Sequence, residues 1–579
     1  MSAVPPHRSA VQKIADNLRN REDRLTILLS LVIGLLVGLV VVAFILLTGR
    51  LAARMYPAGG AAWRRVLMPT IGALVTGFLL SRYFPNARGS GIPQTKFAIF
   101  INNGYISFKT VFGKFLCCSG SLATGIALGR EGPSVQIGAG IASVLGRRFG
   151  LSTENVKALV PVGCSAALAT AFNTPIAAVL FSLEEILGDM HAPVLGTVVI
   201  ASATSWMVLH LLLGDQPLFH VPAYRLVNPI EFAIYAVLGV VGGLGSVCFV
   251  KLLLGIRNQF KKFAKSTEWA QPAVGGLLVG LMGWFMPEVL GVGYDVVDVV
   301  LSGDFVTKIV LLLAVLKIIA TAACYGTGNA GGIFGPSLFI GAMIGGGVGS
   351  IAHTLWPNVT ANPGAYALVG MGAAFAGIVR TPLTSVIMIF EMTRDYSIIV
   401  PLMIANLISF FISQKLQHAP IYEALALQEG VFLPTAESRE ELAGIRVGQI
   451  MQTSPELFPS DLDLGTANKL LSKMGRNAWL VGDPKRLEGV VTARDIDESE
   501  AKYALLRDVV EPGASFPYVH ADHPLSLALE RMGAAAVDAV PVVSRANIRQ
   551  VFGVITLPDI LAAYGVRSTD AIPNGITKS

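Results

Sequence analysis

The sequence predicts an all-α, multi-pass membrane domain built from two related halves, followed by a pair of small α/β modules. Three observations carry this reading: a composition too apolar for a soluble chain of this length, an internal repeat, and a change of character after about Pro434. Of 579 residues, 53% are hydrophobic and only 14% charged. Leu25–Leu47 carries no charge and exceeds the ~20 helical residues that cross a hydrocarbon core of about 30 Å. Further apolar runs follow at Val66–Leu80, Val194–Leu213, Phe232–Leu254, Val274–Trp284, Ile309–Ala323 and Ile398–Ile412. The first run is too long for a signal-peptide core, and more spans come after it. Arg8, Lys13, Arg19, Arg21 and Arg24 precede it, so residues 1–24 are expected to stay in the cytoplasm.

The repeat is read from aligned motifs. Gly129–Ala139 (GREGPSVQIGA) and Gly332–Ala342 (GIFGPSLFIGA) share seven of eleven positions at an offset of 203. The same offset pairs Lys114 with Lys317 and Thr124-Gly125 with Thr327-Gly328. At 202, Pro85, Gly89 and Gly91 meet Pro287, Gly291 and Gly293; at 207, Thr174-Pro175 and Glu184 meet Thr381-Pro382 and Glu391. The halves therefore run over about 30–220 and 230–425 of a membrane domain placed at 25–429. Paired repeats of this kind are commonly inverted about a two-fold axis in the membrane plane, with the site at their interface. Residues 430–444 read as a linker. Beyond it, VVTARD (Val490–Asp495) and VITLPD (Val554–Asp559) repeat at an offset of 64, each a short β-branched strand leading into a helix. These give modules at about 445–500 and 505–566, with 567–579 as a tail.

The net charge of +6 is uneven. Residues 1–429 hold 29 basic and 19 acidic residues, whereas 430–579 hold 15 and 19. A basic membrane part fits positive-inside topology or anion handling, not nucleic-acid binding. Cys117, Cys118, Cys164, Cys248 and Cys324 lie in apolar surroundings without C-x-x-C spacing, and read as small buried hydrophobes.

The chemistry is expected in three Gly-rich segments that interrupt apolar sequence: Gly89–Pro93 (GSGIP), Gly129–Pro133 (GREGP) and Gly332–Pro336 (GIFGP). Each ends in a proline that suits a helix start. After Pro133 the run to Leu145 is only about half a membrane thick, so these read as broken helices beginning inside the bilayer, where loose backbone must line an enclosed cavity. Free amides and the positive end of the helix dipole make such starts anion sites. Glu131, inside one of them, would occupy and block that site when ionised and release it when protonated, coupling anion to proton movement. The alternative is a plain ion pair with Arg130. Of Glu184 and Glu185, at the end of an apolar stretch, one reads as ordinary solvated charge and the other as a cytoplasmic proton relay. Glu391 reads as structural, and Tyr422, taken alone, as an interface anchor.

In order and spacing, GSGIP, GREGP, GIFGP and the terminal tyrosine resemble the CLC chloride channels and transporters, over about residues 25–425. The resemblance implies a homodimer with one anion pathway per subunit in a prokaryotic inner membrane, and N- and C-termini in the cytoplasm. It implies a central chloride held by the Ser90 and Tyr422 side chains and the Ile333 and Phe334 amides, with the Gly129 and Arg130 amides at an outer site. Glu131 becomes the external gating glutamate, Glu185 the internal proton-transfer glutamate, and Lys114 a contributor to the field. Ser90 is what chloride-selective members carry, and Glu185 is what channels generally replace with an apolar residue. A proton-coupled chloride exchanger is thus expected, with a passive voltage- or pH-gated chloride channel as the alternative. The tail is similar to paired CBS modules, in which Thr492, Asp495, Thr556 and Asp559 can contact an adenine nucleotide; the alternative reading is a purely structural tail that stabilises the dimer. The first module departs from the pattern at Ala478-Trp479-Leu480, where the second has Val540-Pro541-Val542. Other classes fit less well. A CBS-containing divalent-cation transporter needs acidic oxygen ligands where this chain presents amide donors. An intramembrane enzyme needs a constellation such as HExxH or GxSxG, neither of which occurs, and no metal or required cofactor is expected.

Overall fold

A computed structural model describes the chain except residues 1–9, 58, 191–192, 215–216, 220, 223, 225, 304, 432–444, 454, 456, 484, 500–503, 511–515, 536 and 564–579. The proposed linker and tail thus lie almost wholly outside the described residues. The chain divides into two compact units, Met1–Leu433 and Pro434–Ser579.

The first unit is helical. Its first half comprises α1 (Ala10–Met55), α2 (Ala62–Arg82), α3 (Ile92–Phe100), α4 (Phe108–Ala123), α5 (Glu131–Arg148), α6 (Thr153–Phe172), α7 (Pro175–Phe181) and α8 (Leu195–Leu213). The second comprises α9 (Glu231–Phe260), α10 (Gln271–Phe285), α11 (Tyr294–Ser302), α12 (Thr307–Gly326), α13 (Phe334–Leu355), α14 (Pro363–Val379), α15 (Pro382–Thr393) and α16 (Ile399–Leu416), with α17 (Ile421–Gln428) appended. Each helix of one half has its counterpart in the other, in the same order. Among the described residues seven helices are long and apolar enough to cross a membrane. Exposed Leu, Ile, Val and Phe side chains stud α1, α8, α9 and α16, as lipid-facing surfaces require. The seven apolar runs read from the sequence coincide, to within a residue at their starts, with stretches of α1, α2, α8, α9, α10, α12 and α16, and none of them coincides with α6, α13 or α14. These three are rich in Gly and Ala, and α6 and α14 are almost wholly enclosed by protein, so they need little bulk. Cys248 departs from expectation: it is exposed on α9, while the other four cysteines are buried.

The halves meet on their own equivalents. Gly129 N–H donates to the Gly332 carbonyl and Gly332 N–H to the Gly129 carbonyl, both at 2.7 Å. Residues 203 apart exchanging identical bonds across an antiparallel bridge are related by a two-fold axis, and α5 and α13 both start beside it. The α7/α15 pair repeats the relation. The Glu391 carboxylate at the end of α15 accepts from Ile176 and Ala177 N–H at the start of α7, at 3.0 and 2.7 Å. Glu184, in the π-helical segment Ser182–Leu187 that continues α7, accepts from Thr384 N–H and Oγ1–H at the start of α15, at 2.8 and 2.6 Å. Neither glutamate is a solvated surface charge; each caps the other half's helix.

The second unit holds two α/β modules. In the first, β2 (Ala478–Asp483) pairs antiparallel with β3 (Arg486–Thr492), flanked by α18 (Leu464–Met474) and α19 (Ala493–Ser499). In the second, β4 (Ala539–Val543) pairs with β5 (Val551–Thr556), flanked by α20 (Leu525–Ala535) and α21 (Leu557–Ala563), and β1 (Gln452–Thr453) adds to β5. The modules are pinned through equivalent residues: Asp538 accepts from Asn477 and Ala478 N–H at 2.9 and 3.0 Å, and Asn477 Oδ1 accepts from Asp538 N–H at 2.9 Å.

Candidate anion site and its carboxylates

All three Gly-rich segments start helices where expected, with their prolines in the first turn. Gly91 takes φ +104°, a conformation open to glycine, and its amide is closed by the Gln94 side chain at 2.9 Å. This lets the chain turn sharply enough to begin α3 inside the protein. The helix after GREGP is longer than the apolar run that predicted it: α5 reaches Arg148, about 27 Å in all.

Ser90 and Tyr422 are both buried, and neither Ser90 Oγ nor the Tyr422 hydroxyl has a hydrogen-bond partner among the described residues. Buried hydroxyls are costly to leave unmatched, so two of them fit an anion as the missing acceptor. Phe334 begins α13 and Ile333 caps it, and the first amides of that helix have no acceptor within it. Phe172, Phe181 and Phe375 hold the Phe334 ring at centroid distances of 4.6, 5.5 and 4.4 Å, fixing that helix start. Ser90 N–H in turn donates to the hydroxyl of Tyr325 on α12 at 3.3 Å, a residue the sequence analysis did not single out.

The Glu131 carboxylate lies against the opposite half. Gly335 N–H, in the first turn of α13, donates to Oε2 at 3.2 Å, and the hydroxyl of Tyr294, at the start of α11, donates to Oε1. Arg130 Nε is 3.8 Å from the same oxygen, so the plain ion pair is a minor contact, and the guanidinium lies over the Tyr294 ring at 5.3 Å. A Cβ at Gly335 would stand 3.0 Å from both Glu131 Oε2 and the Tyr294 hydroxyl, so this meeting needs bare backbone. One expectation is corrected: the Gly129 amide is spent on the Gly332 carbonyl and is not offered to an anion at an outer site. Tyr294 was missed. It directly follows Gly293, which the repeat had already matched to Gly91, and extending that match by one residue would have found it.

Lys114 on α4 is buried, and its Nζ donates to the Ala87 and Gly89 carbonyls at 3.0 and 2.6 Å, beneath the Ser90 loop. Its repeat partner Lys317 donates to the Val289 and Gly291 carbonyls at 3.0 and 2.7 Å. Each of these buried lysines thus ties down the loop that leads into the next helix start. Glu185 is buried in the π-helical segment, a local widening common at functional sites, and accepts from Lys96 Nζ on α3 at 2.8 Å. Lys96 was also missed, because a lysine three residues past GSGIP reads as a surface charge.

In the second unit, Thr492 with Asp495 and Thr556 with Asp559 are caps. Asp495 Oδ2 accepts from Thr492 N–H at 2.9 Å, and Asp559 Oδ2 from Thr556 N–H at 3.0 Å. Gln452 Nε2 also donates to both Asp559 oxygens, at 3.0 and 2.9 Å.

The chain matches known proteins over both units. The family profile described as voltage gated chloride channel matches residues 72–414, and that of the CBS domain matches 447–501 and 506–565. A putative chloride channel protein ClcB-like of Ralstonia nicotianae is 33% identical over 384 residues, 65% of this chain and 89% of that protein. An H(+)/Cl(-) exchange transporter ClcA of Vibrio cholerae is 32% identical over 359 residues, 61% of this chain and 77% of that protein. Among solved structures, a slow cyanobacterial Cl-/H+ antiporter superimposes with a TM-score of 0.64 at 25% identity, covering 70% of this chain and 97% of that one.

Proposed function

The chain belongs to the voltage gated chloride channel family, and from that premise we propose that it exchanges chloride for protons across a membrane, with Glu131 and Glu185 as the two stations of the proton route. One observation carries this reading: the Glu131 carboxylate accepts an amide from the first turn of α13, so the gate occupies the place an anion would take. When Glu131 is ionised it competes with chloride for these donors. A proton arriving from outside removes its charge, the carboxyl leaves, and chloride moves in toward the Ser90 and Tyr422 hydroxyls and the Ile333 and Phe334 amides. Glu185, steadied by Lys96, takes up protons on the cytoplasmic side. Every one of these residues comes from a single chain, which supports one complete pathway per subunit of a homodimer. The related ClcA proteins support exchange over passive flow and, with the basic residues ahead of the apolar run that starts at Leu25, placement in a prokaryotic inner membrane with both termini cytoplasmic. An adenine nucleotide would be taken by the first CBS module, where Asp495 stays exposed, rather than by the second, where Gln452 holds Asp559.

The test is purified protein in liposomes with a chloride gradient, no pH gradient and controlled voltage. Protons driven uphill by chloride are the expected result. Chloride flow with protons at rest would make this a channel and Glu131 only a gate.

A further inference from the structure

The Glu131–Tyr294 contact interrupts the symmetry of the two halves. At the repeat offsets, Glu131 corresponds to Phe334 and Tyr294 to Ile92, so where a carboxylate of the first half meets a phenol of the second, the two equivalent positions, Phe334 and Ile92, are both apolar. The backbone around the two places is otherwise matched: Gly91 and Gly293 both have positive φ, and Lys114 and Lys317 each hold two carbonyls of the preceding loop. A donor has been added to the scaffold on the one side where there is a carboxylate for it.

We propose that Tyr294 is the latch of the external gate, holding the ionised Glu131 carboxylate against α13 and so setting the external pH at which the gate opens. This rests on the reading of Glu131 as the gate and adds what fixes its set-point. The Gly335 amide serves any anion at that position, whereas the phenol is the one side chain that donates to the carboxylate among the described residues. Its position is well defined. Phe219 meets the ring edge-on at 5.5 Å, the Arg130 guanidinium covers a face, and Lys317 anchors the loop before it. Among the described residues, the charged and titratable groups beside the Glu131 carboxylate are Tyr294 on α11 and Arg130, the chain neighbour of Glu131, with Tyr422 on α17 within electrostatic reach. Lys114 on α4, Lys317 on α12 and Lys96 on α3 spend their charges on carbonyls and on Glu185. A hydrogen bond to a carboxylate favours the charged form, so without the phenol fewer external protons suffice to open the gate.

The experiment is chloride flux from liposomes against external pH. Tyr294→Phe keeps the ring and removes only the donor. Its half-activating pH is expected to rise by about one unit, a tenfold drop in proton concentration, with proton coupling retained because Glu131 is still present. A profile superimposing on that of the parent overturns the latch. In a Glu131→Gln background the same substitution should shift nothing, and a shift there would mean that Tyr294 acts elsewhere. 3,5-Difluorotyrosine at position 294, a stronger donor of native shape, should move the midpoint downward; no movement again counts against the latch. The underlying reading fails separately: Glu131→Gln keeping the parent's pH profile removes the gate itself.

Discussion

A carboxylate withdrawn from water needs donors, and Glu131 finds both of its bonds on the other half of the chain. Glu131→Gln keeps the shape and removes the titration. Chloride flux in liposomes should persist while coupled proton movement vanishes, and normal coupling in that variant would exclude Glu131 from the proton route. Glu185 stands in a different environment, paired with Lys96 where each side chain retains slight exposure. Glu185→Gln should slow proton flux on the order of 10²-fold. Chloride binding, followed by calorimetry, should remain, because the residue touches none of the anion donors. The sequence exposed Ser90 and Glu131 because each lies inside a Gly-Pro segment where any polar side chain stands out. Tyr294 and Lys96 were hidden because their significance depends on which carboxylate the fold brings to them, at a separation of 163 and 89 residues.

At the scale of helices, what the sequence revealed followed what each helix faces. Those in contact with lipid carry Leu, Ile and Val in long runs and were visible. Those inside, such as α6 and α14, carry Gly and Ala and were not. The same logic concealed the pairing of α7 with α15. Glu184 and Glu391 aligned in the repeat, but alignment cannot say that each reaches the other's partner helix. Glu391→Ala leaves the Ile176 and Ala177 amides without their acceptor. It should lower stability by about 1–2 kcal/mol, read as an earlier thermal unfolding transition in detergent. An unchanged transition would show that water replaces the carboxylate without loss.

At the scale of the whole molecule, two pairs of repeats follow one rule, in which equivalent residues meet at an axis. Gly129 and Gly332 do so in the membrane unit, and Asn477 and Asp538 in the other. The second case is testable. Asp538→Ala removes two amide acceptors at once and should cost the CBS pair about 1–3 kcal/mol, seen as faster hydrogen exchange along β2 and β4 in the full-length protein. Exchange unaltered at β2 would mean that the modules do not support each other through this residue. The strand pattern of both modules was legible, including Ala478-Trp479-Leu480, which forms β2 in spite of its departure from the family pattern.

The exchange of caps between α7 and α15 also bears on how the protein is made. The amide of Ile176 meets a carboxylate that lies 215 residues further along the chain. At ~5–20 residues per second a ribosome needs roughly 10–40 seconds to cover that distance. Throughout that interval α7 has been synthesised but its first turn cannot be completed, and the Gly129 amide likewise waits for Gly332. A nascent first half is therefore an unfinished object rather than a smaller carrier. The interval before Glu391 emerges is when chaperones and membrane proteases would find it most open to them.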